Sequence, residues 1–572
     1  MKRILGFMKP YVKESICAPL FKMLEAILEL FVPLVVANII DKGIGNGDNG
    51  YIVRMVLVML ALAVIGLVCS VTAQYFAAKA AVGAATSMRF SLFKHIQSLG
   101  YTELDKTGTE TLITRMTSDI NQVQNGINMV LRLFLRSPFI VFGAMIMAFT
   151  INAKCALVFV AAIILLSLVV FGVMIFTRPK YKNAQSVLDK ILGITRENLT
   201  GARVIRAFNC EDNEVKEFKE NNEKLTGIQK LAGKISGLSN PLTFVIINFA
   251  VILLVYTGAV KVNMGTLSQG NVVALYNLMS QILVELVKLA NLIVSITKAM
   301  ACANRINDLF EVKSSDIEGN EQTGIADAPA VEFRNVSFSY AGGGDEAVSG
   351  LSFKVLKGQT VGVIGSTGSG KSTLLNLIPR FYRPTSGQVI IDGREITDYT
   401  DEAIRKKVAV VPQKAQLFKG TIHDNLTIGR KDAPDSVVEQ ALEISQSKEF
   451  VDLKENRLDF MIEQGGKNLS GGQKQRLTIA RALVMDSDIL IMDDSASALD
   501  FATDAKLRHA IRNIENHPTV FISSQRASSV MYADLIIVMD DGKIAGAGTH
   551  QQLLESCGVY REIYDSQFKK EA

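Results

Sequence analysis

The residues whose types and spacing indicate chemistry most directly form a loop at positions 365–373. The loop matches the pattern G-x-x-x-x-G-K-[ST], in which glycines let backbone N–H groups turn inward toward phosphate oxygens. An apolar run at 360–364 precedes the loop and apolar-periodic residues follow it, which predicts a strand, a loop and a helix. The predicted phosphate-binding residues are Gly365, Ser366, Thr367, Gly368, Ser369, Gly370, Lys371, Ser372 and Thr373.

Two side chains of this loop have individual roles in the expected chemistry, which is the binding of a nucleoside triphosphate. Lys371 is expected to reach the β- and γ-phosphates, and the hydroxyl of Ser372 is a candidate ligand of Mg²⁺. Further along the chain lies the peptide Leu-Ser-Gly-Gly-Gln at 469–473, followed by an apolar run that ends in Asp493 and Asp494.

The first half of the chain differs in composition from the half that carries these motifs. Of the 572 residues 48% are apolar, the mean hydropathy is +0.24, and the apolar residues concentrate before about residue 300. The formal charge of +5 does not require a nucleic-acid partner, because many basic residues flank predicted membrane spans. The six cysteines include no C-x-x-C pair, so neither a disulfide framework nor a zinc site is indicated.

Six stretches meet or approach the length of about 20 mostly apolar residues that a bilayer crossing needs. Their approximate bounds are 17–40, 53–78, 133–151, 155–177, 243–262 and 270–293. Two long connections, about 79–132 and 178–242, are rich in Lys and Arg, which places them and both termini in the cytoplasm. They keep helical periodicity, so we expect the helices to continue beyond the bilayer.

Charged residues interrupt the first and third predicted spans at a spacing of four, which puts each pair on one helix face. The acids are Glu25 and Glu29, and the arginines are Arg132 and Arg136. Because charge at bilayer depth is costly, we predict that acids and arginines face one another or line a cavity. Interfacial snorkelling without a substrate role is the alternative.

The sixth predicted span carries a polar stripe on an apolar helix. Its members are spaced four, four and three apart: Asn277, Gln281, Glu285 and Lys288. Such a stripe is expected to face a substrate path or a neighbouring helix, and the sequence does not distinguish the two.

The second half begins with a polar, acidic stretch at 311–330 that is typical of a linker. Residues 331–340 then alternate with period two, which predicts a strand that ends at Tyr340. The predicted organisation is a transmembrane domain over 1–310, a linker over 311–330 and a nucleotide-binding domain over 331–572.

The Leu-Ser-Gly-Gly-Gln peptide, combined with the phosphate loop and an apolar strand ending in Asp493, resembles the ATP-binding cassette (ABC) family. The six-span first half is similar to the exporter-type half-transporters of that family, and the resemblance covers essentially the whole chain. It implies an α-helical membrane domain of six transmembrane helices with long cytoplasmic extensions, fused to a C-terminal α/β P-loop NTPase domain. The implied cofactors are ATP and Mg²⁺, and the implied location is the cell membrane.

The resemblance also implies roles for individual residues of the ATP site. Tyr340 would stack on the base, Gln413 would contact Mg²⁺ and the attacking water, and Asp493 would hold the Mg²⁺ water shell. Asp500, in the motif at 497–500, matches a loop that crosses to the opposite subunit.

In this family one chain completes the ATP site of another, so two chains must pair head to tail. The residues that would bind the γ-phosphate of ATP held by the partner are Ser470, Gly471, Gly472 and Gln473. Residues 197–208 look like the second intracellular loop, whose short helix docks on the ATPase, and 101–115 supplies the first.

Two positions depart from the family pattern, and in the family both take part in ATP hydrolysis. Asp494 stands where the family ordinarily has the glutamate that polarises the attacking water, and its carboxylate is about 1 Å shorter in reach. Gln525 stands where the family normally has histidine, and an amide cannot become a cation. The catalytic candidates are therefore Asp494, Gln525 and Gln413, with the first two predicting slow or absent hydrolysis.

This combination resembles one subunit of bacterial heterodimeric multidrug exporters. It predicts a homologous half-transporter as partner, a lipid bilayer as environment and an amphipathic small molecule or lipid as substrate. An active homodimer is the first alternative, and an ATP-gated channel or regulatory subunit that does not pump is the second.

Overall fold

The chain forms two compact units in a computed structural model, which describes residues 2–314, 319–495 and 499–568 and, except at 2 and 283, their side chains. The first unit is built from described residues of Met1–Gln97 and Glu110–Glu311, and the second from those of Ser98–Thr109 and Val312–Ala572. The boundary expected at 310 did not anticipate that Ser98–Thr109, within the first long connection, belongs with the carboxyl-terminal unit.

Helices make up almost all of the amino-terminal part. In chain order they are α1 (Lys2–Gly6), α2 (Val12–Asn38), α3 (Asn49–Gln97), α4 (Tyr101–Thr107), α5 (Thr109–Thr114), α6 (Ile120–Leu133), α7 (Arg136–Ile151), α8 (Ala153–Thr200), α9 (Ala202–Ala207), α10 (Glu211–Gly237), α11 (Ser239–Asn263) and α12 (Gln269–Glu311). A 3₁₀ turn lies at Lys9–Tyr11, and π-helical turns lie at Ile39–Ile44 and Arg115–Asp119.

Within the described residues, six helical segments are long and apolar enough to cross a membrane, which confirms the predicted number. They are Lys9–Ile44, Asn49–Gln97, Thr109–Ile151, Ala153–Thr200, Glu211–Asn263 and Gln269–Glu311. The second has 49 residues and is therefore about 70 Å long, more than twice the bilayer core of about 30 Å. The expected extensions beyond the bilayer are thus present.

Small side chains let these helices approach closely, as is usual where lipid supplies no hydrophobic contrast. The face of α3 that packs on other helices buries Cys69, Ala73, Ala77, Ala80, Ala84 and Ala85. A Cβ on Gly126 of α6 would lie 2.3 Å from the Cβ of Ala299 on α12. The α6–α12 contact therefore requires glycine at this position.

The carboxyl-terminal unit contains the strands of the fold. They are β1 (Val331–Phe338), β2 (Val348–Val355), β3 (Thr360–Gly365), β4 (Ser386–Ile391), β5 (Arg394–Glu395), β6 (Val408–Val411), β7 (Gly420–Thr421), β8 (Met461–Ile462), β9 (Ile489–Asp493), β10 (Thr519–Ser524), β11 (Leu535–Asp540) and β12 (Lys543–Gly548). The helices are α13 (Lys371–Leu377), α14 (Asp401–Lys407), α15 (Ile422–Leu426), α16 (Asp435–Ile444), α17 (Lys448–Asp452), α18 (Gly471–Val484), α19 (Phe501–Arg512), α20 (Ala527–Val530), α21 (His550–Ser556) and α22 (Gly558–Phe568), with 3₁₀ turns at Arg457–Asp459 and Gln464–Gly466.

The central sheet has the strand order β12-β11-β3-β10-β9-β6 and is parallel except at β12. Its strands read as short apolar runs because helices cover both faces. A second, antiparallel sheet has the order β2-β1-β4-β5. Helices α15 to α18 enclose a separate apolar core that includes Leu426, Leu442 and Leu477.

The stretch expected to be a linker is partly packed on the second unit. Residues 315–318 lie outside the described residues, but the N–H groups of Glu321 and Ile325 donate to the carbonyls of Asp398 and Asp392 at 2.9 and 2.7 Å. Backbone pairing therefore fixes this stretch, which composition alone marked as free.

Candidate functional site

The phosphate loop lies between β3 and α13, as its sequence predicts. Gly368 and Gly370 have φ of 84° and 93°, in the left-handed region that favours glycine. A Cβ on Gly365 would lie 2.2 Å from the carbonyl oxygen of Met539 on β11. The loop curvature and the close packing at its start therefore both require glycine.

Lys371 is buried and directed back onto this loop. Its Nζ donates to the carbonyl oxygens of Gly365 and Ser366 at 2.9 and 2.6 Å, and it forms no ion pair within the described chain. Burial lowers the pKa of this ammonium, while the carboxylates of Asp494 and Asp493 oppose the shift. A buried cation with only neutral oxygen partners in a glycine cradle fits a phosphate group.

The carboxyl ends of four adjacent parallel strands bring the expected catalytic residues to one edge of the sheet. The phosphate loop follows β3, Gln525 follows β10, Asp494 follows β9 and Gln413 follows β6. Motifs that are far apart in the sequence therefore meet at one place, because these four strands are neighbours in the sheet.

Asp493 and Asp494 are fixed through the adjacent strand β10. The hydroxyl of Ser523 donates to Asp493 Oδ1 at 2.6 Å and accepts the backbone N–H of Asp494 at 2.9 Å. Asp493 is buried, and its second carboxylate oxygen leaves an acceptor suited to a metal-bound water. Burial, followed by the Asp493 charge, raises the pKa of Asp494, which also accepts a hydrogen bond from the Gln413 side chain.

Asp494 and Gln525 line one open cleft of about 630 Å³. The other lining residues are Phe501, Ser524, Arg526, Ser528, Gln567 and Phe568. The guanidinium carbon of Arg526 lies 4.9 Å above the Phe501 ring, so these two form one wall. The two departures from the family pattern therefore lie in the same space.

Tyr340 lies beside the phosphate loop, two residues after the end of β1. Its hydroxyl and that of Thr373 are 3.1 Å apart, and its ring meets the Tyr382 ring edge-on at a centroid distance of 5.2 Å. Tyr382 in turn donates to Asp105 Oδ2 of α4 at 2.5 Å, while Tyr101 of α4 stacks on Phe381 at 4.5 Å. The first connection, through α4, is thus in contact with residues next to the phosphate loop.

The Leu-Ser-Gly-Gly-Gln peptide forms the start of α18. Ser470 is the N-cap, and it exchanges hydrogen bonds with Gln473: the Gln473 N–H donates to Ser470 Oγ, and the Ser470 N–H donates to Gln473 Oε1. Ser470 and Gly471 are exposed, and a Cβ on Gly471 would meet nothing within 4 Å. Among the described residues no hydrogen bond, ion pair or ring contact joins this peptide to the phosphate loop of its own chain.

Asp500 is the N-cap of α19, where its carboxylate accepts the N–H and the hydroxyl of Thr503 at 2.9 and 2.8 Å. These bonds lower the pKa of Asp500. Residues 497 and 498 of the same predicted motif lie outside the described residues.

Comparison with known proteins agrees with this architecture. A family model described as the ABC transporter transmembrane region matches residues 15–286, and one described as ABC transporter matches residues 348–497. An uncharacterized ABC transporter ATP-binding protein of Bacillus subtilis is 34% identical over 573 residues, covering 100% of this chain and 99% of that protein. The chain belongs to the ABC transporter family.

A further relative and a solved structure are similar to this ABC transporter over nearly its whole length. The ATP-dependent lipid A-core flippase of Escherichia coli K12 is 29% identical over 99% of this chain and 97% of the flippase. The structure of a bacterial Atm1-family ABC exporter with ATP bound shares the fold, with a TM-score of 0.80, 22% identity and coverage of 99% of both chains. The protein therefore has the fold of an exporter-type half-transporter: it is a multi-pass membrane protein that carries a transmembrane region and an ABC ATPase domain in one chain.

The transporter's membrane unit contains a charge cluster around Arg136, at the start of α7. Arg136 Nη2 lies 2.7 Å from Glu29 Oε2 and 3.9 Å from Glu25 Oε1, both on α2, as the spacing predicted. Arg136 Nη1 lies 2.6 Å from Glu285 Oε1 on α12, so the polar stripe of the sixth span meets the same arginine. Arg132 forms no ion pair within the described residues, so the pairing involves one arginine rather than two.

The cluster also includes Lys288 of the polar stripe and two residues that were not singled out from the sequence, Lys22 and Ser137. Lys22 Nζ lies 2.6 Å from Glu25 Oε2, and Lys288 Nζ lies 2.8 Å from Glu285 Oε1. The hydroxyl of Ser137 donates to Glu285 Oε2 at 2.7 Å. Three acids and three bases thus balance in charge across α2, α7 and α12, which favours a contact between helices over a charged path.

Proposed function

We propose that this half-transporter binds ATP and Mg²⁺ at its own phosphate loop but hydrolyses that ATP slowly, acting with a homologous partner chain. The observation that carries the proposal is the shared cleft of Asp494 and Gln525. A carboxylate misplaced by about 1 Å can lower a rate by about 100-fold. An amide in place of a histidine also removes a possible charge-assisted contact to the γ-phosphate.

The residues that would hold the cofactors follow from the site's geometry. Lys371 and the loop N–H groups would bind the phosphates, and Tyr340 would pack on the base. Ser372, Gln413 and Asp493 would hold Mg²⁺, which neutralises phosphate charge when bound. Gln413 already contacts the Asp494 side chain, so the two side chains together can orient an attacking water.

The peptide 470–473 would complete the active site of the partner. Ser470 and Gly471 are exposed at the start of α18, where helix N–H groups favour an anion. The chain would therefore contribute one slowly hydrolysing ATP site and one half of a competent site. The partner in this heterodimer would have Glu and His at the positions that match Asp494 and Gln525.

The test compares two substitutions within this chain. Asp494→Asn should change the ATPase rate of the purified pair less than about twofold, whereas Ser470→Arg should lower it by about 100-fold. Glutamate-to-glutamine replacement at the matching position of the partner should be as severe as Ser470→Arg. If Asp494→Asn and the partner's replacement were equally severe, the asymmetric model would be wrong.

Restoration gives a second arm of the same test. The pair with Asp494→Glu and Gln525→His in this chain should retain activity when the partner's glutamate is replaced. Full ATPase activity of the wild-type chain purified alone would instead favour the homodimer.

The transport proposal is outward movement of amphipathic compounds, with both termini and the ATPase domain in the cytoplasm. A lipid is the second candidate substrate, because one relative is named a lipid A-core flippase. Sealed vesicles distinguish the candidates: accumulation of an amphipathic dye against its gradient supports drug efflux, and ATP-dependent movement of a labelled lipid between leaflets supports a flippase. Dissipation of a gradient alone would indicate a channel.

A further inference from the structure

The side-chain amide of Gln567, at the end of α22, bridges the segment that follows β10. Its Oε1 accepts the N–H of Ala527 at 2.8 Å, and its Nε2 donates to the carbonyl oxygen of Gln525 at 2.8 Å. Arg526, between them, is the N-cap of α20, yet its side chain makes no capping hydrogen bond. Gln567 therefore supplies, from a distant helix, an acceptor for one of the first N–H groups of α20, which have no partner within the helix itself.

The helix that carries Gln567 is anchored in the core beneath the phosphate loop. Tyr560 of α22 is fully buried and shares one hydrophobic cluster with Ile364, the residue before the loop, and Val530 of α20. The Tyr560 hydroxyl and His550 Nδ1 are 2.7 Å apart. The helix that carries the Gln567 amide is therefore held in place by core packing.

The same end of α22 forms part of the cleft that contains the two departing residues. Gln567 and Phe568 line it together with Asp494 and Gln525. Gln525 is exposed, so the direction of its side chain depends on the backbone that carries it. That backbone is held by β10 on one side and by Gln567 on the other.

We propose that Gln567 is a positioning residue that fixes the backbone between Gln525 and Ala527 and so directs the Gln525 side chain into the cleft. The carboxyl-terminal helix then controls how long ATP is retained at this chain's own site. The proposal rests on the proposed function in that the cleft receives the γ-phosphate.

The test uses the full-length chain paired with its partner. Gln567→Leu removes both hydrogen bonds at similar volume, and Gln567→Glu keeps the acceptor for Ala527 but loses the donor to Gln525. Gln551→Leu, at an exposed glutamine of α21, is the matched control. The partner's P-loop lysine is replaced in every pair, so that radiolabelled ATP is retained only by this chain.

Two measurements distinguish positioning from simple packing. Gln567→Leu should raise the amide exchange rate of Ala527 roughly tenfold and shorten ATP retention several-fold. Gln567→Glu should leave Ala527 protected but still shorten retention, and Gln551→Leu should change neither.

Unchanged exchange at Ala527 in Gln567→Leu would overturn the proposal, as would faster exchange with unchanged retention. If Gln567→Leu does not fold, normal retention in Gln567→Glu would overturn it. Failure of the asymmetric model would show in a different measurement, the ATPase rate, which tells whether hydrolysis needs Asp494 or the partner's glutamate.

Discussion

Replacement of Arg136 by methionine is expected to destabilise the membrane unit by about 3–5 kcal/mol, the range for removal of one partner from a buried ion pair. The side chain of Glu285 is 4% exposed and would retain only Lys288, which is 41% exposed, and the Ser137 hydroxyl. Glu29 is 41% exposed, so the protein encloses its carboxylate far less than that of Glu285. Most of the loss therefore arises at Glu285.

Thermal unfolding of the detergent-purified transporter measures this effect. At about 2–4 °C per kcal/mol, the transition of the membrane unit should fall by roughly 6–20 °C. Glu285→Gln combined with Arg136→Met should recover part of the loss, because no uncompensated buried charge remains.

The matched control is Arg196→Met in the same unit. Arg196 and Glu110 form an ion pair at 3.4 Å, with side chains 74% and 83% exposed, so its loss should cost less than about 1 kcal/mol. Equal transition temperatures for Arg136→Met and Arg196→Met would refute the reasoning that burial makes the first pair expensive to break.

Three further outcomes are expected. Gly370→Ala should abolish ATP binding, because its Cβ would lie 2.8 Å from a valine methyl in addition to the strain of a positive φ. Gly368→Ala has the same kind of strain but open space around its Cβ, so it should weaken binding less than about tenfold. Filter binding of labelled ATP compares the two variants. Tyr382→Phe should remove the hydrogen bond to Asp105, which lowers stability by about 1 kcal/mol and speeds amide exchange in α4. Asp105→Asn keeps an acceptor for the Tyr382 hydroxyl, so it should speed the exchange less. Burial raises the pKa of Tyr560 to about 12, against about 10 for an exposed tyrosine. The free energy of unfolding of the ATPase domain should therefore fall by about 2–3 kcal/mol as the pH rises from about 10 to about 12, because the unfolded chain loses this proton first. Denaturant titrations at alkaline pH measure the loss, which Tyr560→Phe should abolish.

The parts of this protein that were predictable from sequence depend on short-range spacing. The phosphate loop and the strand before it occupy about a dozen consecutive residues, so their order along the chain determines their local geometry. The membrane spans were predictable for a related reason: the length of an apolar stretch alone decides whether a helix can cross a bilayer. The resemblance then added the expectation that Asp493, Asp494, Gln413 and Gln525 share one site.

The remaining features depend on contacts between distant segments. Arg136 and Glu285 are 149 positions apart, and Gln567 lies 42 positions after Gln525. Neither pairing follows from periodicity, which places a residue on a helix face but does not say which helix it meets. The expected domain bounds likewise placed Ser98–Thr109 in the transmembrane domain, although it belongs with the ATPase unit. Only the resemblance, which makes 101–115 the first intracellular loop, set this stretch apart from the membrane helices.

The way Asp494 is held has an evolutionary consequence. Its backbone N–H, rather than its carboxylate, makes the bond to Ser523, so a glutamate at this position can keep the same bond. A lineage could therefore exchange a slow for a fast ATP site through single side-chain changes, without rebuilding the surrounding sheet. Symmetric and asymmetric transporter pairs would then be neighbours in sequence space, separated by chemistry rather than by fold.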